Sequence, residues 1–564
     1  LARAQPAAPD DQYLAAYVVA KQPPAPAAAE LRAFLKERLP DYMLPAALVA
    51  LDEMPLTGNG KINRRALPEP EFNSDTPGSY RPPETPLQAA LARLWAEVLG
   101  RAPVGLSDDF FALGGHSLLA TQLNFHIREA FQIDLPLREL FKAPTVAEQA
   151  VVVERLRRGL TGGAAIDFEA EAALPADIRP RAPVGPPAEL KSILLTGATG
   201  FLGAFVLADL LRQTSARLFC LVRAGGESAA RQRLVDNLRR YQLWQPEFAD
   251  RLQPVPGDLT QPCFGLSQSD YASLAGSVQA VLHNGAVVNF VYPYERLRPA
   301  NVAGTLAVLR LAADFGLPLH YVSTVSVFDS RPYFDRRTIF EGDAPGHAAG
   351  LMYGYAQSKW VAERLVLAAR ARGLAAAVYR PGTVIGDTRS GIWNSGDYLG
   401  RFITGCIQLG AAPELDQTLS LTPVNFVSRA LVHLLRQPES LGQTFHLVSP
   451  HEMHLRQLAA LLAGHGYPLA WQPFADWRAA LLEAGAANAL YPLLPLFVER
   501  VSPDEPQTLI ELLPQEPHYD SARLQAALAG SGIDCPPLDG ELLGRYLAFF
   551  RGSGLLTPKN ENSA

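Results

Sequence analysis

Tyr355 and Lys359 stand four residues apart in Tyr-Ala-Gln-Ser-Lys, which puts a phenol and an ammonium on one face of a helix. A free phenol titrates near ~10 and gives up its proton poorly at neutral pH. A neighbouring ammonium is expected to stabilise the phenolate, lower that pKa and fit the phenol for general-acid work, while also reaching a ribose hydroxyl. Thr324, which ends the run LHYVST, supplies a hydroxyl to orient a carbonyl under reduction. A Tyr and a Lys at this spacing also arise by chance on many amphipathic helices, so the pair takes its meaning from what precedes it.

What precedes it is a glycine-rich turn. Residues 191–203 read KSILLTGATGFLG: a strand, a turn with Gly197, Gly200 and Gly203, then a helix, with Thr199, Phe201 and Leu202 between the glycines. Such a turn brings backbone close to a pyrophosphate, whose charge then faces a helix N-terminus. The next strand ends at Arg223, where an acidic residue would select NAD; an arginine suits the 2′-phosphate of NADPH, with Arg233 in support. Asp258-Leu259 and Asn284-Gly285-Ala286, at the ends of the third and fourth strands, are expected to flank adenine and the adjoining ribose.

These groups need a rigid frame. From residue 190 onward short apolar runs (SILLTG, ARLFCLVR, AVLHNG, LHYVST, AAAVYRPG) alternate with helical patterns, which implies a parallel sheet covered by helices on both faces. With 564 residues, 48% of them hydrophobic and 19% charged, the chain has material for several cores. Pro-rich stretches at 73–83 and 159–189 divide it into segments of different character. The middle segment reads as a small helical bundle. Leu87, Leu91, Leu94, Trp95, Val98 and Leu99 share one helical face, a second helix starts near Ser117, and a third covers about 136–142. The fourth opens at Thr145, where Thr145 and Glu148 suggest a capping box. A net charge of −6 argues against a dedicated nucleic-acid binder. Cys220, Cys263, Cys406 and Cys535 are widely spaced, which suits a reducing cytoplasm and neither a zinc module nor a disulfide scaffold. No stretch reads as a membrane span, and LARAQPAAPD lacks the layout of a signal peptide. His451 and His454 lack metal-site spacing, so no metal is expected; the Arg155, Arg157 and Arg158 cluster reads as a helix end, and Trp471, Phe474 and Trp477 as core.

The runs GATGFLG, VSTVSVF, GYAQSKWVAE and YRPGTVIGD resemble an extended short-chain dehydrogenase. WNSGDYLGRFITGCIQLGAAPEL and TPVNFVSRALVHLL resemble the terminal thioester reductase domain of nonribosomal peptide synthetases. The resemblance covers about 166–564 and implies Thr324, Tyr355 and Lys359 as the catalytic triad, with Pro381, Gly382 and Thr383 beside the nicotinamide. It also implies a Rossmann body at about 190–395 plus 421–448, and a mainly helical substrate subdomain in the remainder of 396–564. Members that cyclise without reduction lack the tyrosine, so Tyr355 argues against that role. DDFFALGGHSLLA resembles the peptidyl carrier motif, which implies 4′-phosphopantetheine on Ser117 in a four-helix carrier domain at 84–158, installed by a phosphopantetheinyl transferase. Leu118 and Phe141 are candidate contacts for partner domains, and equally candidate bundle core. A hydrolase reading of His116-Ser117 fails, because GxSxG is absent. LPDYMLP and NGKINR resemble the last two core motifs of an adenylation domain, making 1–72 part of its small α+β subdomain, with Lys61 as the lysine that contacts acyl and phosphate oxygens. The large ATP-binding part is not in this sequence, so adenylation is not expected of it.

The expectation is thus reductive release of a carrier-bound acyl or peptidyl thioester with NADPH, the product being either the aldehyde or, after a second reduction that the sequence does not decide, the alcohol. The expected partners are upstream synthetase domains, without nucleic acid or membrane. A sugar-nucleotide epimerase or dehydratase shares the turn and the Tyr/Lys pair but leaves Ser117 without a purpose. A non-catalytic docking module is the other alternative. Only seven of the 50 Lys and Arg residues are lysine, and two of them fall on Lys61 and Lys359. That suggests a compact ammonium, rather than a guanidinium fork, at both positions.

Overall fold

The protein is described from a computed structural model. It covers residues 2–5, 8–20, 31, 47–51, 53–55, 63, 66–68, 80–110, 113, 115, 117–133, 135–136, 139–140, 143–158, 166–181, 190–334, 338–348, 350–502, 505–512 and 517–556. The chain separates into two compact units, Leu1–Ala165 and Ile166–Ala564, with the division inside the second Pro-rich stretch.

In the first unit, strand Ala8–Val19 pairs antiparallel with Ala2–Gln5 and parallel with Ala47–Leu51. Three helices follow at Pro86–Leu99, Ser117–Phe131 and Val146–Arg157. The first buries Leu91, Trp95 and Val98 and is opened by a Thr85–Gln88 capping box that the sequence reading overlooked. Trp95 donates to the Gln149 side-chain amide oxygen at 2.8 Å and meets Phe110 edge-on at 5.0 Å, so the buried indole has a polar partner as well as a packed ring. The capping box at Thr145 and Glu148 is present, and Arg155 pairs with Glu139 at 2.6 Å. The short helix expected at 136–142 falls largely outside the described residues, and Lys61 and Phe141 lie outside them altogether.

The second unit is built on seven parallel strands, here β1 Ser192–Thr196, β2 Arg217–Val222, β3 Leu252–Pro256, β4 Ala280–His283, β5 Leu319–Val322, β6 Ala376–Pro381 and β7 Thr444–Leu447. Their order in the sheet is 7-6-5-4-1-2-3. Strand order along the sheet reverses between β1 and β4, so right-handed crossovers put the helices Phe201–Gln213 and Gly304–Phe315 on opposite faces. A crevice then opens beyond the carboxyl ends of β1 and β4, where such sheets hold ligands. The inner strands β1, β4, β5 and β6 are buried on both sides, which is why they read as largely apolar runs, whereas the edge strand β3 is half-buried.

Helix Val424–Leu435 packs on Phe201–Gln213 and leads into β7, whereas 421–423 end the strand Thr418–Pro423 of a separate three-stranded sheet. Much of the rest of 396–564 is helical, including Tyr398–Leu409, Leu455–Gly464, Phe474–Ala484 and Gly540–Gly552. A longer stretch also departs from the expected partition. Strand His518–Tyr519 pairs with Thr338–Ile339, and Leu524, Leu528 and Cys535 join the core of the sheet. The Glu341 carboxylate accepts from the backbone N–H groups of His446, Arg523 and Leu524, which ties this stretch to β7. Residues 518–535 therefore return to the body, a non-local contact that local periodicity does not carry. The four cysteines are free, and among the described residues no helix is long and apolar enough to cross a membrane.

Candidate active site

The glycine turn is shaped by close approach. Gly197 has φ +74°, and a Cβ there would lie 2.7 Å from the Asn284 carbonyl oxygen; one at Gly203 would lie 2.0 Å from the Gly197 oxygen. Gly200 differs, since its Cβ would meet only the Gly197 oxygen, at 3.4 Å. The chain's own packing demands the first and third glycines, while the second leaves room for a ligand's approach. Gly200 opens the Phe201–Gln213 helix without a side-chain cap, which suits that end to a phosphate anion. These features fit a dinucleotide's pyrophosphate. Asn237 holds the turn from behind by donating to the carbonyls of Ala198 and Gly200, both at 3.2 Å. It was not anticipated, because a polar residue on an exposed helix carries no signal of what it faces. Phe201 turns into the body against Phe205 and Tyr241, while Thr199 and Leu202 are half-buried at the turn.

Around the crevice, Arg223 follows β2 and is exposed, and its carbonyl accepts from the Arg233 guanidinium. The Asp258 carboxylate accepts from the backbone and hydroxyl of Thr260 at 2.8 and 2.9 Å, so it fixes its own loop. Leu259 packs so tightly on Gly285 that a Cβ there would come within 2.6 Å of it. Gly285 donates to the Thr196 hydroxyl at 2.9 Å, with half-exposed Asn284 and Ala286 on either side. Pro381 is buried at the end of β6, Gly382 donates to the Leu447 carbonyl, and Thr383 is exposed.

Tyr355 lies in the first turn of the Gly354–Ala371 helix, and Thr324 caps the short helix after β5. Both are buried. Burial pushes the Tyr355 phenol well above its ordinary range; a hydrogen bond with Thr324 works against this and the Asp329 charge adds to it. The expected depression by Lys359 is not found. Lys359 donates instead to the Tyr321 hydroxyl at 2.7 Å and to the Val322 carbonyl at 2.9 Å. Spacing of i,i+4 aligns the Cβ atoms, but the four-carbon stem lets the ammonium reach across to β5. Burial lowers Lys359 to about 7, opposed by the negative charge of Glu363 one turn further on. Glu363 pairs with Arg380 at 2.6 Å, both fully buried, and accepts from Ser323.

Asn301 is a further residue the sequence did not reveal. It exchanges hydrogen bonds with the backbone of Val287 and donates to Ser358, joining the loop after β4 to the helix between Tyr355 and Lys359. Phe290, on that loop, meets Tyr355, Tyr353 and Tyr398 at 5.7, 5.5 and 6.3 Å. Trp477 is core, as expected, packed on Phe402 and Phe497. In the first unit Ser117 opens its helix; its side chain and that of Leu118 lie outside the described residues.

Comparison with known proteins accords with this arrangement. Residues 195–431 match the family profile "Male sterility protein", an NAD-binding class; 89–151 match "Phosphopantetheine attachment site"; and 6–61 match "AMP-binding enzyme C-terminal domain". The chain is 39% identical to a linear gramicidin synthase protein of Brevibacillus parabrevis over 97% of its own length and 11% of that protein. It is 33% identical to L-2-aminoadipate reductase of Saccharomyces cerevisiae over 94% of its length and 42% of that protein. The chain thus spans less than half the length of these curated relatives. Among solved structures, the terminal R domain from the myxalamid PKS-NRPS biosynthetic pathway aligns with a TM-score of 0.64 and 42% identity, over 69% of this chain and 98% of that one. A nicotinamide-binding reductase unit in line with a phosphopantetheine carrier is not accounted for by a sugar-nucleotide enzyme. The chain belongs to the family of terminal reductase domains of nonribosomal peptide synthetases, here joined to a carrier domain and the C-terminal part of an AMP-binding enzyme domain.

Proposed function

We propose that the protein releases an acyl or peptidyl chain from its carrier by reducing the thioester that holds it. In this reading 1–72 is part of an adenylation domain, 84–158 is a four-helix carrier bearing 4′-phosphopantetheine on Ser117, and 166–564 is the reductase. The single observation that carries the reading is a glycine turn with the geometry of a dinucleotide site, on the same sheet that carries the buried Thr324 beside the helix of Tyr355. Support for the carrier comes from the phosphopantetheine match over 89–151. The protein would work in the cytoplasm, loaded by a phosphopantetheinyl transferase and supplied by upstream synthetase domains.

NADPH, when bound, supplies hydride to the thioester carbonyl carbon. The turn Gly197–Gly203 and the helix behind it hold the pyrophosphate, Arg223 with Arg233 selects the 2′-phosphate, and Asp258 to Leu259 and Asn284 to Ala286 border adenine and its ribose. Pro381, Gly382 and Thr383 border the nicotinamide, and Lys359 holds its ribose. Thr324 orients the carbonyl, and Tyr355 stabilises and protonates the oxygen as negative charge develops there. A phenol whose pKa is raised in the free protein gives its proton readily only to a strong base, which a developing alkoxide is. The hemithioacetal then loses its hydroxyl proton as its C–S bond breaks, leaving an aldehyde and the carrier thiol; a second hydride from another NADPH would take the aldehyde to an alcohol.

The test is to load Ser117 with acyl-phosphopantetheines, add NADPH and identify the released product by mass spectrometry. Ser117→Ala is expected to abolish release of carrier-bound chains and to spare reduction of free thioester analogues. Loss of neither activity overturns the carrier assignment.

A further inference from the structure

Tyr321, on β5, has no part in the chemistry above, yet it is almost wholly buried beside it. Its hydroxyl accepts from the Lys359 ammonium, and the same nitrogen lies 4.4 Å from its ring centroid. A second N–H of Lys359 goes to the Val322 carbonyl. An ammonium has three donors, so β5 takes two and the direction of the third is set by them.

Tyr321 faces a set of buried polar groups, and the hydroxyls of Thr305 and Ser323 act on its phenol against the effect of burial. Ser323 gives its proton to Glu363, and Thr305 gives its own to the Asn301 carbonyl at 2.6 Å. Thr305 also lies 3.2 Å from His283 Nε2, and His283 Nδ1 lies 2.7 Å from the Thr196 hydroxyl, which accepts from Gly285. Burial lowers His283 to about 3, so its ring is neutral, with one donor and one acceptor nitrogen. Tyr321 thus stands at the edge of this buried set, its oxygen accepting from the Lys359 ammonium. The set runs on to the strand that enters the glycine turn.

We propose that Tyr321 is a positioning residue, which aims Lys359 from β5 so that the third N–H meets the ribose of the nicotinamide dinucleotide. The proposal rests on the reading of Lys359 as a dinucleotide ligand.

The experiment measures NADPH binding to the full chain by cofactor fluorescence, together with kcat and KM. Tyr321→Phe keeps the ring and removes the hydroxyl. We expect its Kd and KM for NADPH to rise about tenfold with a smaller change in kcat. In a Lys359→Met background the same substitution is expected to change Kd less than about twofold, because the two residues act as one unit. An unchanged Kd for Tyr321→Phe, alongside a weakened Lys359→Met, overturns the positioning role and leaves the lysine reading standing. Unchanged binding by Lys359→Met overturns both. Fully additive effects mean that Tyr321 acts apart from Lys359, which also overturns the proposal. Should Tyr321→Phe not fold, Thr305→Val removes a hydroxyl that acts on the Tyr321 phenol. It is expected to raise Kd by a smaller factor that again vanishes with Lys359→Met, and full persistence there overturns the proposal.

Discussion

The two sides of the crevice are built differently. On one, backbone meets backbone: Gly197 presses on Asn284 and Gly203 on Gly197, with Asn237 reaching in from the next helix. On the other, the helix Gly354–Ala371 carries Tyr355, Lys359 and Glu363 at successive turns; Tyr321 directs Lys359, Arg380 pairs with Glu363, and Thr324 acts on the Tyr355 phenol against its burial. A backbone site is specified by what its residues lack, a Cβ, whereas a side-chain site is specified by partners from distant segments. The first should fail sterically and the second electrostatically.

The largest expected effect lies on the side-chain half. Tyr355→Phe should lower kcat by about 10³-fold through loss of the proton donor, with NADPH affinity unchanged; steady-state rates and direct binding test this. Turnover close to wild type would remove Tyr355 from the chemistry. Next, Glu363→Gln leaves the Arg380 guanidinium buried without its counter-charge and should cost about 3 kcal/mol in denaturant unfolding. A loss as small as that of a surface pair would show the helix to be held by other contacts.

The backbone half is then tested by contrast. Gly203→Ala should cost about 2 kcal/mol through overpacking, whereas Gly200→Ala should leave stability nearly unchanged and weaken NADPH binding. Equal loss of stability at the two positions would erase the distinction between a packing glycine and a ligand glycine.

The smallest effect is a pH dependence. Lys359 sits at about 7 in the folded protein and near ~10.4 when unfolded. Below about pH 7 both states hold the proton and no slope arises. Between about 7 and 10 the unfolded chain binds more protons, so stability rises with pH through this group. Unfolding free energies of wild type should therefore climb more steeply over that window than those of Lys359→Met. Parallel curves would mean that the ammonium keeps its proton throughout.

Several features were legible because they are local. The strand–turn–helix at 191–203, the capping box at Thr145 and the alternation of apolar strands with helices follow from neighbours within a few residues. The expectation that Lys359 would lower the Tyr355 pKa was also local, and it failed, because a lysine stem spans the distance to β5 as easily as to the next turn. Residues 518–535 were likewise grouped with the substrate subdomain, whereas Glu341 and the Thr338–Ile339 strand that recruit them lie 180 or more residues earlier. Asn237 and Asn301 are polar residues on helices, and their sequence context does not distinguish a brace from a solvated side chain.

The order of the elements, the glycine turn and the presence of a phenol and an ammonium on one helix were all written in the chain, because period, chirality and the missing Cβ act over short stretches. Where the ammonium points, and which groups are stripped of water, became definite only with the packed fold. A side chain's direction and its pKa depend on the dielectric and the hydrogen-bond partners around it, and at Lys359 those come from β5, brought alongside by the packing of the sheet.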